Sequence, residues 1–105
     1  MKTVKEIAKL TGISIRTLRY YDEIGLLKPA KVSEAGYRLY DEQALAKLQE
    51  ILFYKELGLS LADIRSVLED PEYDREQMLL TQKRLLEQKR NRLNSLIELI
   101  DDRRK

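Results

Sequence analysis

Apolar residues recur along this chain at helical spacing, in several short runs and one long one. Val4, Ile7 and Ala8, with Leu10 at the margin, mark one face of a first helix. Thr3 and Glu6 precede that run at the spacing that lets a hydroxyl and a carboxylate satisfy unpaired backbone donors, so the helix should begin at Thr3. Gly12 punctuates its end. Ser14 is a second N-cap, with Ile13 and Leu18 placed to close over it as a hydrophobic staple. The next helix should run from Ile15 to about Glu23. Two short helices across a glycine-containing turn make a helix-turn-helix candidate.

Between Leu26 and Tyr40 the helical period disappears. Pro29 breaks any helix, and Ser33-Glu34-Ala35-Gly36 reads as a turn. The flanking segments, around Leu27–Val32 and Tyr37–Tyr40, are short enough to pair as a β-hairpin. Asp41 then caps a third helix with Leu45, Leu48, Ile51, Leu52 and Leu57 as its apolar positions and Gly58 as its stop. Ser60 and Asp63 repeat the capping spacing and open a fourth helix, with Leu61, Ile64, Val67 and Leu68 directed inward. Asp70-Pro71 closes it.

A long helix follows, from about Asp74 to Asp102. Leu79, Leu86, Leu93 and Ile100 recur every seven residues along it. The rows three and four positions further on are polar until Leu96 and Ile97; Met78, Leu85 and Leu99 add a neighbouring stripe. A domain this small cannot cover so long a stripe. A second copy of the chain is the expected partner, with Leu79, Leu86, Leu93, Leu96, Ile97 and Ile100 at the dimer seam. The bland alternative is a solvated charged helix or one folded back on its own chain. The expected domains are residues 1–71 and a dimerisation helix over 72–105.

Composition narrows the chemistry. The chain has no Cys and no His, which removes thiolate metal sites, disulfides and the commonest general base, so an enzyme is not expected and no cofactor is implied. No apolar run approaches the length that spans a bilayer, and a cytoplasmic protein is expected. The net charge of +2 hides an asymmetry. Residues 1–40 carry eight Lys or Arg against four acids, whereas residues 41–70 carry three against seven. A basic front end suits a phosphate-facing surface, and ordinary surface scatter would give the same count.

The second helix sharpens that choice. At about 100° per residue, Ile15, Leu18 and Asp22 fall on one side, while Arg16, Thr17 and Tyr20 fall opposite and Arg19 and Tyr21 lie on the flanks. Arginine can make two parallel hydrogen bonds to a guanine edge or clamp a phosphate. Tyrosine hydroxyls can reach backbone oxygens and hold register. The alternative for Tyr21 is a core residue, since a flank position can pack inward. Lys28, Lys31, Tyr37 and Arg38, spread over both hairpin arms, offer a second basic surface beside this helix.

These residues carry a resemblance. Ile15-Arg16-Thr17-Leu18-Arg19-Tyr20-Tyr21-Asp22, then Gly25-Leu26-Leu27 and Pro29, then Gly36-Tyr37-Arg38-Leu39-Tyr40 and Leu57-Gly58-Leu59-Ser60-Leu61 resemble, in order, the DNA-binding region of the MerR family. Ile51 to Gly58 is similar to its multidrug-responsive, TipA-like branch. The resemblance implies a mainly α fold: a winged helix-turn-helix with a short β-hairpin wing, two further helices and a long C-terminal coiled-coil dimerisation helix, antiparallel between subunits. It implies that Arg16 and Arg19 face bases or nearby phosphates, and that Ser14, Tyr20 and Tyr21 support them on the backbone; Thr17 is a further DNA-binding candidate on the same helix. Tyr37 and Arg38 would meet phosphates from the wing. Lys31 stands where many relatives have Arg, so a bidentate clamp becomes a point charge. Lys55, with Lys47, is a further phosphate candidate in an otherwise acidic segment.

The implied function is that of a homodimeric activator of promoter DNA. Such proteins bind a pseudo-palindrome within an over-long promoter spacer, then bend and untwist it so that RNA polymerase reads both promoter elements. Metal- and redox-sensing members carry cysteines, which this chain lacks, and drug-binding members carry a further domain; the expectation here is a chain without its own effector domain and with an unknown effector. The rivals are a repressor or architectural protein on the same fold and, from another class, a coiled-coil adaptor whose basic end binds protein.

Overall fold

The computed structural model describes residues 1–104. Its elements run β1 (Lys2–Thr3), α1 (Val4–Thr11), α2 (Ile15–Glu23), β2 (Lys31–Val32), β3 (Arg38–Tyr40), α3 (Glu42–Glu56), α4 (Leu61–Leu68) and α5 (Arg75–Arg103). They form two compact units, Met1–Leu68 and a second that begins at Glu69. The fold is mainly α, as expected.

Local chemistry starts each helix where the sequence placed it. Thr3 Oγ1 accepts from the Glu6 N–H at 3.2 Å while Glu6 Oε1 accepts from the Thr3 N–H at 3.1 Å, completing the capping box. The Thr3 N–H, and after it the Thr3 side chain, hold the exposed Glu6 carboxylate below its ordinary pKa. The Ser14, Asp41 and Ser60 side chains accept from the N–H groups of Thr17, Ala44 and Asp63 in the same way. At Gly12 the chain turns with φ of +78°, a left-handed conformation that an L side chain rarely adopts. That turn reverses α1 into α2, and Ile7 and Leu18 meet the core fully buried.

The sheet is antiparallel, in the order β1-β3-β2. Lys31 lies opposite Leu39 and Val32 opposite Arg38, and on the other side of β3 Lys2 lies opposite Tyr40. β1 was not foreseen. It is two polar residues long, and only its backbone pairing with β3 makes it a strand. The first hairpin arm is also shorter than expected. Leu26 and Leu27 are not strand residues: both donate their N–H to the Tyr21 carbonyl in a turn that closes α2, and both are buried. The hairpin tip closes through Gly36 N–H to the Ser33 carbonyl at 2.9 Å, with Gly36 at φ of +85°.

Helices α3 and α4 complete the first unit. Leu48 and Ile51 of α3 and Ile64 of α4 are fully enclosed, whereas Leu57 is exposed at the helix end. Arg65 of α4 donates from Nη2 to the Ile24 carbonyl just after α2, tying the two halves of this unit together. Leu10, expected at the margin of the buried face, points to solvent instead.

In the second unit Asp74 caps α5 by accepting from the Gln77 N–H at 3.1 Å. At about 1.5 Å rise per residue, this 29-residue helix is roughly 43 Å long. Leu79, Leu86, Leu93, Leu96, Ile97 and Ile100 are all exposed on it. Among the described residues, no helix is long and apolar enough to cross a membrane.

Candidate nucleic-acid interface

The candidate surface is built on α2. Its N-cap, Ser14, takes an extended backbone and places its hydroxyl 3.0 Å from the Thr17 N–H and 2.9 Å from Thr17 Oγ1. Both hydroxyls are thus tied into the helix start, Ser14 exposed and Thr17 half-buried. One turn on, Arg16, Arg19 and Tyr20 are exposed. Leu18, between them in sequence, faces the opposite way and is sealed in the core. The helix therefore anchors through one face and offers two guanidinium groups and a phenol on the other.

Tyr21 corrects an expectation. Three residues on from Leu18 it falls on the same side of the helix, and its side chain is only 5% exposed. Burial pushes its hydroxyl above the ordinary tyrosine value. A ring so enclosed serves packing, which removes Tyr21 from the surface set.

The hairpin brings the second group of residues alongside. A groove of about 200 Å³ is lined by Thr3, Val4, Lys5, Ile15, Arg19, Tyr37 and Arg38. Arg19 of α2 thus shares one concave surface with Tyr37 and Arg38 of the hairpin, which lie 18 and 19 positions further along the chain. Tyr37 is exposed; its N–H donates to Ser33 Oγ at 3.0 Å, which fixes the strand start. Arg38 is half-buried and engaged: its Nε donates to Asp22 Oδ2 at 2.9 Å, and Lys28 Nζ lies 3.6 Å from the other carboxylate oxygen. Sequence reasoning passed over Asp22 as a functional residue. Its signal was a lone acid on the otherwise apolar side of α2.

Lys31 and Lys55 are exposed but lie outside this groove. Lys47, half-buried on α3, lines a second surface of about 320 Å³ together with Lys28 and the Asp41 cap. Lysine and arginine side chains thus line two surfaces of the first unit, one between α2 and the hairpin and one between the loop after α2 and the start of α3.

Comparison with known proteins agrees with this geometry. The model of the MerR HTH family regulatory proteins matches residues 2–70, and that of the MerR DNA-binding region matches residues 45–105. The HTH-type transcriptional activator mta of Bacillus subtilis is 46% identical over 98 residues, covering 93% of this chain and 38% of that protein. The activator TipA of Streptomyces coelicolor is 38% identical over 99 residues, covering 94% of this chain and 39% of that protein. This chain thus spans about two fifths of the length of these relatives. Among solved structures, the N-terminus of MtaN, the Bacillus subtilis multidrug transporter activator, superposes with a TM-score of 0.67 at 44% identity, covering 96% of this chain and 95% of that one. HiNmlR, a MerR family regulator lacking the sensor domain and bound to promoter DNA, superposes with a TM-score of 0.59 at 28% identity, covering 94% and 83%.

Proposed function

The chain belongs to the MerR family of helix-turn-helix regulatory proteins, and from that premise we propose that two copies bind promoter DNA and activate transcription. The observation that carries this reading is the exposed face of α2. Arg16, Arg19 and Tyr20 project from a helix locked on its other side by Leu18 and Tyr21, with Tyr37 and Arg38 beside it. Rigid anchoring matters because a helix already held in place loses little backbone entropy on binding.

In this reading α2 enters the major groove. Arg16 and Arg19 meet base edges or adjacent phosphates, Tyr20 and the N-terminal hydroxyls Ser14 and Thr17 meet the backbone, and Tyr37, Arg38 and Lys31 meet flanking phosphates. Lys55 is a further phosphate contact. The α5 helices join two subunits, and the DNA conforms to the pair. Bending a promoter substantially costs roughly 1–6 kcal/mol, offset by phosphate contacts from both subunits. The bent and untwisted spacer then presents both promoter elements to RNA polymerase. We place the protein in the cytoplasm with its DNA and assign it no catalytic role. The named activators among its relatives support activation over repression.

Arg16→Ala and Arg19→Ala test the assignment. Each should weaken binding to a selected duplex by about 1–3 kcal/mol per lost base contact, and weaken random duplex much less. Equal losses on both duplexes would reduce the two arginines to phosphate contacts. Circular permutation of the bound site tests the bend, and a bound but straight duplex would contradict it.

A further inference from the structure

We infer that Asp22, an acidic residue in the helix read here as DNA-facing, strengthens DNA binding by latching the hairpin to α2. The inference rests on the DNA-binding reading above and extends it to a residue that touches no DNA.

Simple electrostatics argues the other way. A carboxylate on the same helix as Arg16 and Arg19 should repel a polyanion, and its removal should tighten the complex. The geometry changes that expectation. Asp22 Oδ2 accepts from Arg38 Nε at 2.9 Å and Oδ1 faces Lys28 Nζ at 3.6 Å, so each oxygen has a cation of its own. The Asp22 side chain is 20% exposed and that of Arg38 31%, so water and salt screen this charge-assisted pair less than a surface pair. Through Nε, Arg38 commits one of its five N–H donors and keeps its Nη groups for another acceptor.

The tether falls where the sheet is weakest. β1 holds β3 at Leu39 and Tyr40, whereas Arg38 is paired only with Val32 of the two-residue β2, a short ladder at the tip side of the hairpin. Arg38 is the first residue of β3, and Asp22 lies in the last turn of α2. Their bond joins the hairpin to the helix at the wall of the groove that holds Arg19, Tyr37 and Arg38. Tyr40, two residues along β3, also feels Asp22. Its hydroxyl is pushed above the ordinary tyrosine value first by burial and then by this carboxylate.

The experiment compares Asp22→Ala, Asp22→Glu, Arg38→Ala and the Asp22→Ala/Arg38→Ala pair with the unaltered chain. Dissociation constants on a selected duplex are measured over a range of salt, and thermal melts report folding. Asp22→Ala should weaken binding about tenfold, lie within about tenfold of Arg38→Ala, and add nothing to it in the pair. Its salt slope should fall by about 1, the mark of one lost phosphate contact. Asp22→Glu, which keeps the charge one carbon further out, should recover part of the loss. Should Asp22→Ala lose its cooperative melt, Arg38→Lys carries the same expectation, because it keeps the charge and loses the Nε bond. Binding by Asp22→Ala as tight as that of the unaltered chain or tighter, an unchanged slope, or additive losses in the pair would overturn the latch and leave the DNA-binding reading intact. An unaltered chain that binds no duplex would overturn both.

Discussion

Leu93 stands midway along the α5 stripe, and its replacement measures how much of that stripe a second chain covers. It is 51% exposed in the single chain. Burying a leucine side chain completely is worth about 1.5–3 kcal/mol, so covering the exposed half contributes about 1 kcal/mol per copy. A symmetric dimer holds the residue twice. Leu93→Ala should therefore weaken the dimer by about 2 kcal/mol, or about thirty-fold in Kd. Leu93→Glu should do more, because it places an unpaired carboxylate in the seam of each chain. Leu80 provides the control. It is 66% exposed and lies well round the helix from the heptad row, so Leu80→Ala should leave association unchanged. Sedimentation equilibrium across the micromolar range reads all three variants. A monomeric unaltered chain, a Leu93→Ala protein as dimeric as its parent, or equal weakening by Leu80→Ala would refute the seam.

Two further variants probe the first unit. Ser14→Ala removes the acceptor that caps α2, and a urea melt should show a loss of about 1 kcal/mol, with no loss counting against the cap. Tyr40→Phe tests alkaline stability. Burial raises the folded pKa of Tyr21 and Tyr40 above the ordinary value of 10.0, so the folded chain keeps its protons where the unfolded chain releases them. Stability should hold at lower pH and fall as pH rises past that value. The Tyr40 hydroxyl is buried without a hydrogen-bond partner among the described residues. Its removal should therefore cost less than about 1 kcal/mol near neutral pH and flatten the alkaline limb of the pH–melt curve. An unchanged limb would contradict the assignment to Tyr40.

The helix starts were legible because their causes are local. Thr3, Ser14, Asp41 and Ser60 each bond to an N–H three residues on, and a linear sequence displays that spacing openly. The exposed face of α2 was legible for a similar reason, since a helical wheel alone separates Arg16 and Tyr20 from Leu18. What stayed hidden depends on partners distant in sequence. β1 is a strand only because β3 lies beside it. Leu27 looked like the start of a hairpin arm because buried turns and strands share apolar residues. Tyr21 sat on a flank, and packing turned it inward. The Asp22–Arg38 bond spans 16 positions, and no periodicity connects them.

The most direct measurement is selection of bound duplexes by the purified protein from a fully randomised pool at moderate ionic strength. Two copies presenting the same helix should enrich inverted half-sites at one fixed separation, and the enrichment should vanish in the Arg16→Ala/Arg19→Ala protein. A pool that stays random after several rounds, or enriched sites that the double variant selects equally well, would contradict the account.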